Sequence, residues 1–94
     1  MTMGAITVKL PKFGLTMEEA TINEWSVAVG EAVAQGETIA TIESEKVEME
    51  LPSPAGGIVA EHLVAVGETV AVGTALAVVV ADADELAAYE RRGS

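Results

Sequence analysis

Cysteine is absent from this chain, histidine occurs once, and aromatic residues are limited to one Trp, one Tyr and one Phe. The missing cysteines exclude a disulfide framework, a thiolate metal centre and a cysteine nucleophile, and they fit a reducing compartment such as the cytoplasm. The lone His62 rules out a multi-histidine metal site, and no metal is expected. Basic residues are scarce as well: five against fifteen acidic ones leave a formal charge of −10, the wrong sign for a phosphate backbone. A nucleic-acid partner is therefore not expected. The longest uncharged apolar run, residues 69 to 81, falls short of the ~20 residues a membrane helix needs and is broken by Gly73. The first four residues show no basic segment leading into an apolar one, so neither a membrane span nor a secretory signal is expected. Ser26, Ser44 and Ser53 lack a nucleophile-elbow context, and neither a phosphate loop nor a dinucleotide fingerprint occurs, which leaves an independent enzyme without support.

What is present is a chain of 94 residues, half of them apolar, the size of one small domain. Thirteen valines and nine glycines spread along it favour short strands separated by turns over helix. Ile6, Val8 and Leu10 alternate with Thr7 and Lys9, the period of a half-buried strand, and Pro11 ends it by withholding an amide donor. A loop over Phe13 to Glu19 follows, then strand composition from Ala20 to Trp25, where Trp25 is expected in the core. Pro52 and Pro54 bracket Ser53 in what reads as a turn, and His62 beside a strand is expected to be a surface or hydrogen-bonded residue.

The segment VAVGEAVAQGETIATIE, Val27 to Glu43, aligns without gaps on VAVGETVAVGTALAVVV, Val64 to Val80. Gly30 falls on Gly67 and Gly36 on Gly73, as expected when each pair forms the same tight turn. Two halves, each too small to bury its own apolar face, would pack together as a sandwich or flattened barrel about a pseudo-twofold axis. The repeat sets Lys46 against Ala83, where the chain leaves the domain, so Lys46 is expected at the end opposite that exit. Domain limits of 4–81 follow, with 82–94 either a short helix from Glu85, capped by Asp82 and Asp84 and with Arg91 and Arg92 against its C-terminal dipole, or the start of a linker.

The run ESEKVEME, Glu43 to Glu50, places Lys46, one of three lysines, in a row of carboxylates. Val47, Met49 and Leu51 alternate with Glu48 and Glu50, so Glu45 and Lys46 fall at a turn. Hairpin turns prefer Gly, Asn or Asp, and Glu and Lys offer no such local advantage. A solvated surface turn would account for the charges alone. A lysine nucleophile needs burial or neighbouring cations to depress its pKa, and glutamates act the other way. Lys46 is thus better suited to modification by an enzyme that brings an activated acyl donor.

In PKFGLTMEEATINEW, VGEAVAQGETIATIESEKVEME, SPAGGIV and VGETVAVGTALAVV, taken in order, the chain resembles the lipoyl domains of 2-oxo acid dehydrogenase complexes, carried by the dihydrolipoyl acyltransferase component. The resemblance covers nearly the whole domain. It implies an all-β fold, a flattened barrel (barrel-sandwich hybrid) of two small antiparallel sheets with pseudo-twofold symmetry. It also implies lipoate joined to Lys46 as an amide by a lipoyl ligase or lipoyl transferase, in a monomeric, non-catalytic carrier. The attached arm would be acylated by a thiamine-diphosphate decarboxylase, deliver the acyl group to coenzyme A at the acyltransferase core, and be reoxidised by the flavoprotein dihydrolipoyl dehydrogenase. Glu43, Ser44, Glu45, Val47, Glu48 and Glu50 would be read during modification. Phe13, Gly14, Leu15, Thr16, Met17, Glu18 and Glu19 would form a partner loop towards the decarboxylase. Biotin carrier domains share the fold but flank their lysine with Met, where Glu45 and Val47 stand here. Unmodified barrel-sandwich interaction modules lack the lysine altogether, and a glycine-cleavage carrier has a longer chain.

Overall fold

In the computed structural model, which describes residues 5–12, 17–45 and 47–93, eight strands and one helix are formed. The strands are β1 (Ile6–Lys9), β2 (Glu19–Trp25), β3 (Ala32–Val33), β4 (Thr38–Ser44), β5 (Val47–Pro52), β6 (Gly57–His62), β7 (Thr69–Ala71) and β8 (Ala75–Val80); the helix, α1, is Ala83–Gly93. They make two four-stranded antiparallel sheets, ordered β1-β8-β6-β3 and β5-β4-β2-β7. Replacing each strand of the first sheet by the one four places away in the chain yields the second, so a pseudo-twofold axis exchanges the sheets. The expected architecture is present, but as two facing sheets: among the described residues no ladder joins β1 to β5 or β3 to β7, and the barrel does not close.

The repeat carries over to individual hydrogen bonds. Gly30 N donates to Val59 O and Gly67 N to Ile22 O; Val59 N donates to Glu31 O and Ile22 N to Glu68 O. Each turn is closed by its own glutamate, Glu31 Oε1 accepting from Ala28 N at 2.9 Å and Glu68 Oε1 from Ala65 N at 2.8 Å. Gly30 and Gly67 have φ of 95° and 93°, a backbone region that a side chain would strain. On the axis itself lie Trp25 and His62, again partners in the repeat, stacked with ring centroids 4.0 Å apart and 6° between planes. Trp25 Nε1 donates to Val64 O at 3.0 Å, and His62 Nε2 lies 2.9 Å from Val27 O. A carbonyl only accepts, so Nε2 carries the imidazole proton. Trp25 is thus half-buried against the core, with its ring stacked and its N–H used, and His62 is a hydrogen-bonded residue.

Between the sheets lies one core of Val8, Leu10, Met17, Ile22, Ile39, Ile42, Leu51, Val59, Leu76 and Val79 among others. Burying each such side chain contributes about 1.5–3 kcal/mol, which neither half could gather alone. Ser53 is buried, its Oγ bonded to Ala55 O at 2.6 Å, which makes it a turn residue.

α1 starts at Ala83, earlier than the Glu85 expected, because Asp82 alone caps it: Glu85 N donates to Asp82 Oδ1 at 2.9 Å. Eleven residues make a marginal helix in isolation. Leu86 and Tyr89 secure it by packing on Ile58, Ala60, Val78 and Val80 of β6 and β8. The Tyr89 hydroxyl donates to Glu61 Oε1, and that bond, then burial, then the carboxylate's charge, raise the Tyr89 pKa above its usual 10.0.

Two outcomes are expected. At Gly57 an added Cβ would overlap the Val80 carbonyl oxygen and lie 3.1 Å from Val79 Cγ1, so Gly57→Ala should cost about 1–3 kcal/mol in denaturant unfolding. Tyr89 is the only tyrosine, so alkaline absorbance titration reads it alone and should give a midpoint above 10 that Glu61→Gln lowers. Because the folded-state pKa is the higher one, this stabilisation is complete below the unfolded value and is lost as pH rises through the folded one.

Candidate functional site: the β4–β5 hairpin

β4 and β5 are joined by the tightest connection a hairpin allows. Ser44 pairs with Val47, so only two positions separate the strands, and the described one of them, Glu45, is a turn residue. Glu45 has φ of 52°, the only positive φ on a non-glycine among the described residues. For a side-chain-bearing residue this conformation costs about 1–2 kcal/mol and is common where function fixes the backbone. Burial fades toward the turn: Leu51 is buried, Met49 half-buried, and Val47 57% exposed. The hairpin therefore projects beyond the core.

The hydrogen bonds also place this end of the hairpin relative to α1. Ser44 Oγ donates to Glu19 O, Glu19 pairs with Ala71, and Gly73 N donates to Leu10 O, whose own N donates to Thr74 O at the start of β8. β8 then runs away over six residues, about 20 Å at ~3.3 Å each, before α1 begins. The hairpin turn and the exit into α1 occupy opposite ends, as the repeat predicts.

Of the four expected recognition glutamates, Glu43, Glu48 and Glu50 flank the turn and Glu45 lies in it. Glu43 and Glu48 are direct cross-strand partners, a like-charged pairing that opposes the ladder. Asn23 of β2 bridges them, its Nδ2 donating to Glu43 Oε1 and to Glu48 Oε2, each at 3.3 Å. Glu50 accepts from Thr38 Oγ1 at 3.2 Å. Glu45 joins Glu18, Glu19 and Ser44 around an open, polar recess at the foot of the turn. The expected partner loop divides: Glu18 and Glu19 are exposed in that recess, whereas Met17 is buried in the core, where its apolar side chain gains more than at the surface. Phe13, Gly14, Leu15, Thr16 and Lys46 lie outside the described residues. Asn23 is the one site residue that sequence reasoning missed. Its signal was a short polar amide within a strand otherwise rich in β-branched and apolar residues.

No group of three or more His, Asp or Glu among the described residues is arranged to hold a metal. No helix there is long and apolar enough to cross a membrane. The pattern is that of a rigid sandwich presenting one strained, acid-flanked hairpin, a carrier module in form.

Comparison with known proteins gives the family. The sequence profile of the biotin/lipoyl family, described as "Biotin-requiring enzyme", matches residues 6–79. The solution structure of the lipoyl domain of the 2-oxoglutarate dehydrogenase complex from Azotobacter vinelandii superposes with a TM-score of 0.67 at 35% identity, over 82% of this chain and 98% of that one. The chain thus belongs to the biotin/lipoyl family and, within it, to the lipoyl domains, which are non-catalytic carrier parts of larger components. The acetyltransferase component of the pyruvate dehydrogenase complex of Corynebacterium glutamicum is 36% identical over 89% of this chain and 12% of its own length. The corresponding component of the Bacillus subtilis acetoin cleaving system is 41% identical over 61% of this chain and 14% of its own. The chain therefore spans only about an eighth of these relatives' length. Urea carboxylase of Kluyveromyces lactis contains a similar fold, with a TM-score of 0.71 at 25% identity, over 85% of this chain and 6% of that one.

Relieving the turn's backbone should stabilise the protein. Glu45→Asn, a residue that tolerates positive φ, is expected to raise unfolding free energy by about 0.5–1 kcal/mol in thermal or denaturant melts.

Proposed function

We propose that Lys46 is the attachment residue of a lipoyl group and that the domain carries acyl groups within a 2-oxo acid dehydrogenase complex. The observation that carries this reading is the hairpin itself: β4 and β5 stay paired out to Ser44 and Val47, Glu45 is held at positive φ, and in the sequence the single lysine of the ESEKVEME run comes next. The surroundings suit such a group. Val47, next to the turn, is 57% exposed, so an arm joined beside it extends into solvent instead of competing with core packing.

In the ligase route the lipoyl carbonyl is activated as an adenylate. The lysine nitrogen forms the amide bond as the bond to AMP breaks, and the two surplus ammonium protons pass to solvent. When bound, the lipoyl group supplies a disulfide that a thiamine-diphosphate decarboxylase opens and acylates, and from which an acyltransferase core hands the acyl group to coenzyme A. The chain's own residues present the amine. Glu45 fixes the turn, and Glu43, Glu48 and Glu50 give its flanks a negative field that speeds encounter with enzymes of opposite charge. The shared core keeps the platform rigid, so each visiting enzyme meets the same shape. Tethering in the complex then makes successive transfers local events at high effective concentration. A lipoyl ligase or transferase and dihydrolipoyl dehydrogenase complete the set of partners.

Incubation with a lipoate ligase, lipoate and ATP, followed by peptide mass mapping, should find one lipoyl adduct on Lys46. Lys46→Arg should abolish it, and Lys9 and Lys12 should stay bare. An adduct on another lysine, or biotinylation in place of lipoylation, would overturn the reading.

A further inference from the structure

We infer that Asn23 is a positioning residue for the modification site: it holds Glu43 and Glu48 in one arrangement beside the turn while leaving both their charges uncancelled. The inference rests on the assignment of Lys46 as the attachment residue and adds a residue from a third strand to it.

Three observations support it. First, Asn23 lies where β2 is bulged against β4, between the paired positions Ile22↔Ile42 and Glu24↔Thr41. A bulge re-aims the side chain of its extra residue. Here the amide nitrogen meets both carboxylates, Glu43 from β4 and Glu48 reaching over from β5, at 3.3 Å each. Second, the other half of the molecule provides an internal comparison. The matching bulge in β6 falls between Val59 and Glu61, and its residue is Ala60. Ala60 is buried with Val78 and Val80 beneath α1. In the repeat Val80 stands where Glu43 stands, so one backbone device serves apolar packing at one site and carboxylate placement at the other. The turns and core are shared by the halves, while these outward positions have diverged. Third, the chemistry chosen is not the one that best serves folding. Two glutamates facing each other across a ladder repel, and a lysine or arginine between them would cancel that repulsion. An amide has two N–H donors and no charge, so it can orient both acceptors without neutralising either. The arrangement keeps two fixed negative charges, three residues before and two residues after Lys46 in the sequence.

Stability and recognition should therefore respond to substitution in opposite directions. Asn23→Lys is expected to melt at or above the temperature of the unsubstituted domain. Its KM as substrate of a lipoate ligase should rise by about tenfold, with kcat nearly unchanged and a weaker dependence on salt. Asn23→Leu, which leaves the two carboxylates facing each other without a donor, should melt lower and also raise KM. Asn23→Gln, which keeps both donors, should stay within about twofold of the unsubstituted domain. A merely structural role would make KM follow melting temperature through the series. Modification of Asn23→Lys with unchanged KM and salt dependence would overturn the inference and leave the Lys46 assignment standing. Failure of the unsubstituted domain to accept lipoate at Lys46 would remove both.

Discussion

The stacked rings of Trp25 and His62 mark the contact on which the rest of the fold depends. Each ring donates its N–H to a valine carbonyl of the opposite half, Val64 or Val27, and the pseudo-twofold axis passes between them. Around that pair the halves interleave: each sheet takes two strands from either side of the repeat, so the shared core is complete only when both are in place. A cooperative, all-or-none core follows from this arrangement. It also explains why the turn glycines recur thirty-seven residues apart, since each bonds a strand of the opposite half, Gly30 to Val59 and Gly67 to Ile22.

The proposed function resides where that symmetry is broken. Inside, Ile39 and Ile42 are matched by Leu76 and Val79, and all four are buried. Outside, Thr41 and Glu43 correspond to Val78 and Val80. The valines lie under α1, whereas on the hairpin strand β4 the threonine is half-buried and the glutamate exposed. An even distribution of charge would have left neither face distinctive. Concentrating apolar residues on one sheet and carboxylates on the other gives the molecule a covered side and a presented side without disturbing the shared interior.

Much of this was legible in the sequence. The repeat disclosed the twofold relation, and valine alternation with glycine punctuation disclosed strands. Extending the repeat two residues upstream would have aligned Trp25 with His62, although nothing local to either residue announces a stack. The assignment of strands to sheets was hidden, because β1 and β5 do not obey the offset that governs the other three pairs. Lys46 stood out because its neighbours are poor turn formers, and the positive φ of Glu45 is the physical cost of that choice. Asn23 escaped notice because its partners, Glu43 and Glu48, are 20 and 25 residues away. Tyr89 escaped for the same reason: its acceptor, Glu61, belongs to a strand 28 residues earlier.

The pairing of Ile6 with Val79 brings the first and last strands side by side with opposite directions. Tension applied to the two ends of the body would peel α1 and then unzip β1 from β8, breaking ladder bonds one after another instead of loading them together in shear. Mechanical weakness is thereby confined to the end away from the hairpin, and a pulled domain would lose its acid-flanked tip last.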